Sequence, residues 1–209
     1  MSDSPLIRIL TVDDHALLRK GIVGLVSAEP HMEVIAEAST GVEAIQQFRQ
    51  YRPDVTLMDL LMPDMGGIEA IIAIRNEFPD ARIIVLTTYT GDVQVVRALK
   101  AGARAFVLKA KVNRELLESI RAVHAGQKRI SPEIVAEIAG HAGDSELSAR
   151  ELDVLRLIAA GNANKAIAVR LAITEETVKS HVTNILAKLR AKDRTHAVTI
   201  GLKRGIIDL

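Results

Sequence analysis

Residues 55–67 read VTLMDLLMPDMGG, and the reading of this stretch decides the fold. Val55 to Met58 are apolar or β-branched without interruption, the pattern of a short strand buried on both faces. The run stops at a carboxylate, Asp59, after which Pro63 and the Gly66-Gly67 pair open a loop. An acid at the carboxyl end of a buried parallel strand sits where open α/β sheets bind their ligands. Residues 7–12, IRILTV, read as a second buried strand and also end on acids, Asp13 and Asp14. One such acid is most simply a strand-end residue beside a loop. If the two strands are neighbours, three carboxylates converge on one edge of the sheet and repel one another unless a cation holds them. Hard oxygen ligands with room for water favour Mg²⁺ or Mn²⁺.

Outward from this stretch, the first 125 residues alternate strand and helix signals. Strands are predicted at 6–12, 33–38, 55–58, 82–87 and 105–108, with amphipathic helices at 16–28, 42–50, 68–78, 93–101 and 114–125. Thr40-x-x-Glu43 reads as a capping box for the second helix, and Asn113 as the N-cap of the fifth. Five such units imply an α/β domain with a five-stranded, parallel, doubly wound sheet. Its strand ends then carry Asp13/Asp14, Asp59, Thr87/Thr88 and Lys109. A metal ion and a lysine can therefore face one carboxylate and one hydroxyl. That set suits phosphoryl transfer onto Asp59, which needs a carboxylate nucleophile, in-line positioning and neutralisation of the phosphoryl oxygens.

Residues 126–146 read as a connector: Gly126 ends a helix, Ser131-Pro132 opens a short one to about Ala139, and GHAGDSE (140–146) is a flexible tether. His141, with no second ligand at metal spacing, reads as a solvated side chain. The last 63 residues are nearly all helical and form a separate all-α, four-helix domain. Ser148-x-x-Glu151 is a capping box, Gly161 breaks the first helix, and residues 165–171 give a short second one. Thr174 caps a third, 175 to about 189, and Asp193 a fourth. The third places Val178, Val182, Ile185, Leu186 and Leu189 on one face and Thr177, Lys179, Ser180, Thr183, Asn184 and Lys188 on the other. Two short helices joined tightly, the second basic and hydroxyl-rich outside, describe a helix-turn-helix, although many solvated helix faces are also lysine-rich.

Charge follows the same division. The chain's net +1 splits into −2 over residues 1–125, −2 over 126–146 and +5 over 147–209, so the C-terminal domain suits a polyanion. There is no cysteine, which excludes disulfides, thiolate metal sites and thiol nucleophiles. No apolar run approaches membrane-spanning length and no export signal is present, so the expectation is a cytoplasmic protein without a membrane partner.

Residues 6–125 resemble the receiver domain of two-component response regulators, through VDDH, MDLLMP, VLTTY and AFVLK ending at Lys109. The string LSARELDVLRLIAAGNANKAIAVRLAITEETVKSHVTNILAKL, continuing through DRTHAV to RGII, resembles the LuxR-type helix-turn-helix of NarL/FixJ-family regulators. The resemblance implies a receiver at 1–125, a linker at 126–146 and a DNA-binding domain at 147–209. It makes Asp59 the phosphoacceptor, with Asp14, Asp59 and the Leu61 carbonyl on Mg²⁺ and Asp13 acting mainly through a metal-bound water. Thr87 would bond the phosphoryl group, Lys109 would pair with it, and Phe106 would turn inward on activation. In the second domain Lys179, Ser180 and Thr183 would face bases, while Asn164, Lys165, Thr177, His181 and Lys188 would approach phosphates. The implied partners are a sensor histidine kinase, promoter DNA and a second copy of the chain. Departures from the pattern are Ala110 where receivers often carry proline, Ala163 for Ser or Thr, Ala166 for Glu, and Arg190 for glycine.

A phosphorylation-controlled transcription factor, not an enzyme beyond slow self-dephosphorylation, is therefore the expectation. The rival from another class is a Mg²⁺-dependent phosphatase with an aspartate nucleophile. Haloacid-dehalogenase-like enzymes want D-x-D after the first strand, whereas this chain reads D-D-H and carries a basic domain such an enzyme would not use. A second rival is a regulator whose receiver is never phosphorylated and serves only to dimerise; the complete acid, threonine and lysine set argues against it.

Overall fold

The computed structural model describes residues 6–88, 92–140 and 146–207. Strands β1 (Ile7–Val12), β2 (Met32–Ala38), β3 (Val55–Asp59), β4 (Ile83–Thr87) and β5 (Ala105–Leu108) form one parallel sheet in the order β2-β1-β3-β4-β5. Helices α1 (Ala16–Ser27), α2 (Gly41–Tyr51), α3 (Gly67–Glu77), α4 (Asp92–Ala101) and α5 (Val112–His124) alternate with the strands. Ile9, Leu57, Leu86 and Val107 point to one face, where Ile22 and Val26 of α1 and Leu116, Ile120 and Val123 of α5 cover them. Leu10, Met58 and Val85, which alternate with those residues, are equally buried, so both faces are closed. Each such aliphatic side chain contributes about 1.5–3 kcal/mol, which is how a chain this poor in aromatics holds together.

Register places the acids. Val12 of β1 lies beside Met58 of β3, so the next residues, Asp13 and Asp59, emerge side by side at the carboxyl edge of the sheet. The predicted elements are all present, with ends shifted by one or two residues. Two local readings need correction. Asn113 is not the N-cap of α5: a 3₁₀ turn, Lys109–Lys111, leads from β5 straight into the helix, and Asn113 lies in its first turn. The Thr40 box is half formed. Thr40 Oγ1 accepts from the Glu43 N–H at 3.2 Å, but the Glu43 carboxylate turns to the N–H and hydroxyl of Ser39 at 2.7 and 2.8 Å.

The connector begins as part of the sheet. The Arg129 N–H donates to the Arg104 carbonyl at 2.9 Å, and the Arg129 carbonyl accepts from the Phe106 N–H at 3.2 Å, a one-residue parallel bridge along β5. Its guanidinium pairs with Glu118 of α5 at 2.8 Å. A short piece of chain thereby covers the exposed edge of β5. Helix α6 (Pro132–Gly140) follows as expected from Ser131-Pro132, and the main boundary between two compact units falls at residue 132. His141 and the rest of the tether to 145 lie outside the described residues.

In the second unit α7 (Ala149–Ala159), α8 (Asn164–Leu171), α9 (Glu175–Lys188) and α10 (Arg194–Lys203) surround Val154, Leu155, Ile158, Ile167, Val178 and Ile185. Ser148 and Glu151 form the full reciprocal capping box of α7. Thr174 and Asp193 cap α9 and α10, accepting from Thr177 and His196 at 3.1 and 2.8 Å. Ala172 in the α8–α9 turn and Arg190 after α9 take left-handed φ of 52° and 51°, a geometry that usually selects glycine. Arg150 holds the turn by donating to the Leu171 carbonyl.

Candidate functional site

At the carboxyl edge of the sheet the Lys109 ammonium lies 2.7 Å from Asp59 Oδ2 and 2.7 Å from Asp13 Oδ2. Asp13 is fully buried and Asp59 nearly so, while Asp14 opens to solvent. Asp59 Oδ1 accepts from the Leu61 N–H at 3.3 Å, and Asp13 Oδ1 accepts from the His15 N–H at 2.9 Å. Burial pushes the Asp59 carboxyl above its ordinary range, against the opposing pull of Lys109 and with a further push from Asp13. Burial alone would lower the Lys109 ammonium, but its bonds to Asp13 and Asp59 prevail and its pKa is raised. One cation thus faces two buried carboxylates, and the edge is short of positive charge. Ligand atoms of Asp13, Asp14, His15 and Asp59 all lie within 4.8 Å of one another, a donor set able to take a metal ion. Thr87 is buried at the end of β4, and Phe106 on β5 is already inside the protein at 3% exposure.

The approach to the nucleophile is built by Gly67. A Cβ there would stand 1.9 Å from the Asp59 carbonyl oxygen, because α3 starts directly against the strand end and the Gly67 N–H bonds Leu60. Backbone cannot yield as a side chain can. Gly67→Ala is therefore expected to lower stability by about 1–3 kcal/mol and to displace Asp59, read by a urea melt and by the rate of labelling with acetyl phosphate.

On α9, Lys179, Ser180, Thr183 and Asn184 are exposed, while Val178 and Ile185 are sealed into the core. Lys179 pairs with Glu176, 3.2 Å away on the same surface, and Thr183 Oγ1 bonds back to the Lys179 carbonyl. Residues 9–121 match the response regulator receiver domain, and residues 145–200 match the bacterial regulatory proteins of the luxR family. The chain is a response regulator of the LuxR type. Relatives agree over nearly the whole length. The uncharacterized transcriptional regulatory protein YhcZ of Bacillus subtilis (strain 168) is 42% identical, over 95% of this chain and 97% of that protein. The transcriptional regulatory protein LiaR of the same organism is 39% identical, over 97% and 100%. Among solved structures, the response regulator ChrA of a heme-sensing two-component system is 30% identical with a TM-score of 0.59, covering 98% of this chain and all of that one. The regulator is a transcriptional one, joining a receiver to a LuxR-type DNA-binding domain, and among its described residues no helix is long and apolar enough to cross a membrane.

In this response regulator the residues expected at the phosphoacceptor site, Asp13, Asp14, Asp59, Leu61, Thr87 and Lys109, come together at adjacent strand ends β1, β3, β4 and β5. In the effector domain Lys165, Lys179, Ser180 and Thr183 are exposed, while Asn164, Thr177 and His181 are half-buried. Thr177 is engaged locally, its hydroxyl 2.8 Å from that of Thr174. Lys188, expected to approach phosphates, also has partners within its own domain. Its ammonium lies 2.7 Å from Glu151 Oε2, a buried carboxylate, and donates to the Glu146 carbonyl at 3.1 Å, so it ties α9 to the start of α7. Ala163 stands at the N-cap of α8 with no side chain to cap it, where Ser or Thr would. The residue pattern gives Gly67 a place in the loop opening and His15 a place in the D-D-H string, but assigns neither a role in the site. The signal for His15 was its place directly after the acidic pair.

Proposed function

We propose that Asp59 takes a phosphoryl group from a sensor histidine kinase and that the phosphorylated protein pairs with a second copy and binds promoter DNA in the cytoplasm. The observation that carries this is the placement of Asp59, a buried strand-end carboxylate held by Lys109 beside two further acids. An Asp59 carboxylate oxygen attacks phosphorus, the phosphorus–nitrogen bond of the kinase's phosphohistidine breaks, and the imidazole leaves with that electron pair. Three carboxylates at adjoining strand ends fit Mg²⁺, with Asp14, Asp59 and the Leu61 carbonyl as ligands and Asp13 through water; the ion would neutralise charge on the phosphoryl oxygens. Lys109 stays on the product, and Thr87 at the end of β4 bonds a phosphoryl oxygen. The acyl phosphate replaces the single charge of the Asp59 carboxylate with a dianionic group, a net gain of about one negative charge where one cation already serves two acids. This shifts the population of the receiver, through β4 and the strand carrying Phe106, toward a dimer. Two copies supply the two recognition helices that a symmetric site requires, since one short helix reads few base pairs. Beyond slow loss of its own phosphoryl group, the chain turns nothing over.

Incubation with acetyl phosphate and Mg²⁺, followed by intact mass, sedimentation and DNA affinity on one sample, tests the scheme. One base- and hydroxylamine-labile phosphoryl group, a larger sedimentation coefficient and tighter DNA binding are expected. Phosphorylation with no change in either size or affinity would favour a receiver uncoupled from the effector domain, and turnover of a generic phosphate ester would favour a phosphatase.

A further inference from the structure

We infer that His15 gives the strand-edge cation site a nitrogen ligand, so that the site distinguishes borderline divalent ions such as Zn²⁺ from Mg²⁺; this rests on the reading of the acidic cluster as a cation site. His15 occupies the N-cap of α1, where Ser, Thr, Asp or Asn would bond the helix's first N–H groups, yet its side chain makes no capping bond. The ring turns the other way, into the acids. Its Nδ1 lies 2.6 Å from Asp14 Oδ1 and 3.4 Å from Asp13 Oδ1. Its backbone N–H is fixed on Asp13 Oδ1 at 2.9 Å, so the acid behind the ring also anchors the residue that carries it. The ring nitrogen and one oxygen from each of the three aspartates lie within 4.8 Å of one another, the compass of a single ion.

The ring is 71% exposed, so it is held by these contacts and not by core packing. The Nδ1 atom and Asp14 Oδ1 are already side by side, 2.6 Å apart. A cation at this edge would be ligated by both atoms, which lie within the reach of one ion. Imidazole is a poor ligand for Mg²⁺, which prefers oxygen and retains water, but a good one for Zn²⁺, Co²⁺ and Ni²⁺. The carboxylates alone would hold Mg²⁺ as most oxygen sites do. With His15 the same pocket acquires a second, tighter class of ion and competition between the two classes.

The test uses the full chain with Mg²⁺ and Zn²⁺ as separate probes, by calorimetry and by ¹⁵N chemical shifts of the histidine rings. Zn²⁺ is expected to move the Nδ1 resonance assigned to His15 by its loss in His15→Ala. That variant should bind Zn²⁺ at least about tenfold more weakly while its Mg²⁺ affinity changes less than about twofold. Asp59→Asn separates the two levels of the argument. If Asp59→Asn leaves Mg²⁺ binding intact, the strand edge is not the cation site and both readings fall. If Mg²⁺ binding is lost in Asp59→Asn, yet His15→Ala keeps full Zn²⁺ affinity and the ring resonance never moves, the cation site stands and the role of His15 is overturned.

Discussion

Asp59→Asn is expected to abolish labelling by acetyl phosphate while leaving the receiver folded. Loss of a nucleophile costs on the order of 10⁴-fold or more in rate, so intact mass after a fixed incubation should show no phosphorylated species. The stability side follows from the charge. Burial raises the Asp59 pKa despite Lys109, so the ionised carboxylate is a net burden on the fold at any pH above that raised value and is relieved by protonation. An amide of the same shape removes the burden, and the thermal midpoint at neutral pH should stay level or rise. Lys109→Ala makes the opposite change. It leaves Asp13 and Asp59, both buried, without their shared cation, a loss of about 3–5 kcal/mol in metal-free buffer. An Asp59→Asn protein that is labelled as fast as the wild type would sink the assignment. One that no longer melts cooperatively would sink the electrostatic account of the site.

The parts of this molecule legible in its sequence are those set by neighbours along the chain. Val55–Met58 and IRILTV announce buried strands because every residue but Arg8 is apolar or β-branched, and the acids that stop them mark the sheet edge. Ser148 and Glu151 are three apart, so their box could be read directly, as could Thr174 and Asp193 as caps. What stayed hidden depends on partners far away in sequence. Lys188 has the look of a surface cation on a polar stripe, and nothing local says that Glu151, 37 positions earlier, claims it. The bridge of Arg129 to β5 is a single residue long and leaves no periodicity. Ala172 and Arg190 adopt left-handed backbone without the glycine or asparagine that would signal it. Asn113 misled for a local reason: a good capping residue lay near the helix start, but the 3₁₀ turn after Lys109 had already begun the winding. The site was legible in its members and not in their pairing, since Asp13 and Asp59 meet only through the β1–β3 register.

Lys179→Ala and Lys188→Ala are expected to differ in kind, although both remove a lysine from the same helix. Lys179 is 55% exposed, and its partner Glu176 is more exposed still, a surface pair worth about 0–1 kcal/mol that DNA can replace. It is expected to meet guanine O6 and N7 in the major groove, and so to be worth about 1–3 kcal/mol at the cognate site and little on scrambled duplex. Lys188 is held inside its own domain. Removing it strands Glu151, whose carboxylate is otherwise held by Lys188 and by the Ser148 N–H, each at 2.7 Å. Because Lys188 itself is 30% exposed, the loss should fall somewhat below that of a fully buried pair, at about 2–4 kcal/mol. The pH dependence has a definite sign. Burial would raise the Glu151 pKa, but Lys188 and Ser148 outweigh it and hold the carboxyl below its ordinary value. Its stabilisation is therefore full above the unfolded-state value, roughly 4.3, and is lost as pH falls through the lowered folded one. The stability gap between wild type and Lys188→Ala should accordingly be widest near neutrality and close in acid. In a salt titration of DNA binding, run well below the melting temperature, the Lys188→Ala slope should match that of the wild type. A Lys188→Ala protein of unchanged stability whose slope flattens by about one would make Lys188 a phosphate contact after all, with the Glu151 pair incidental.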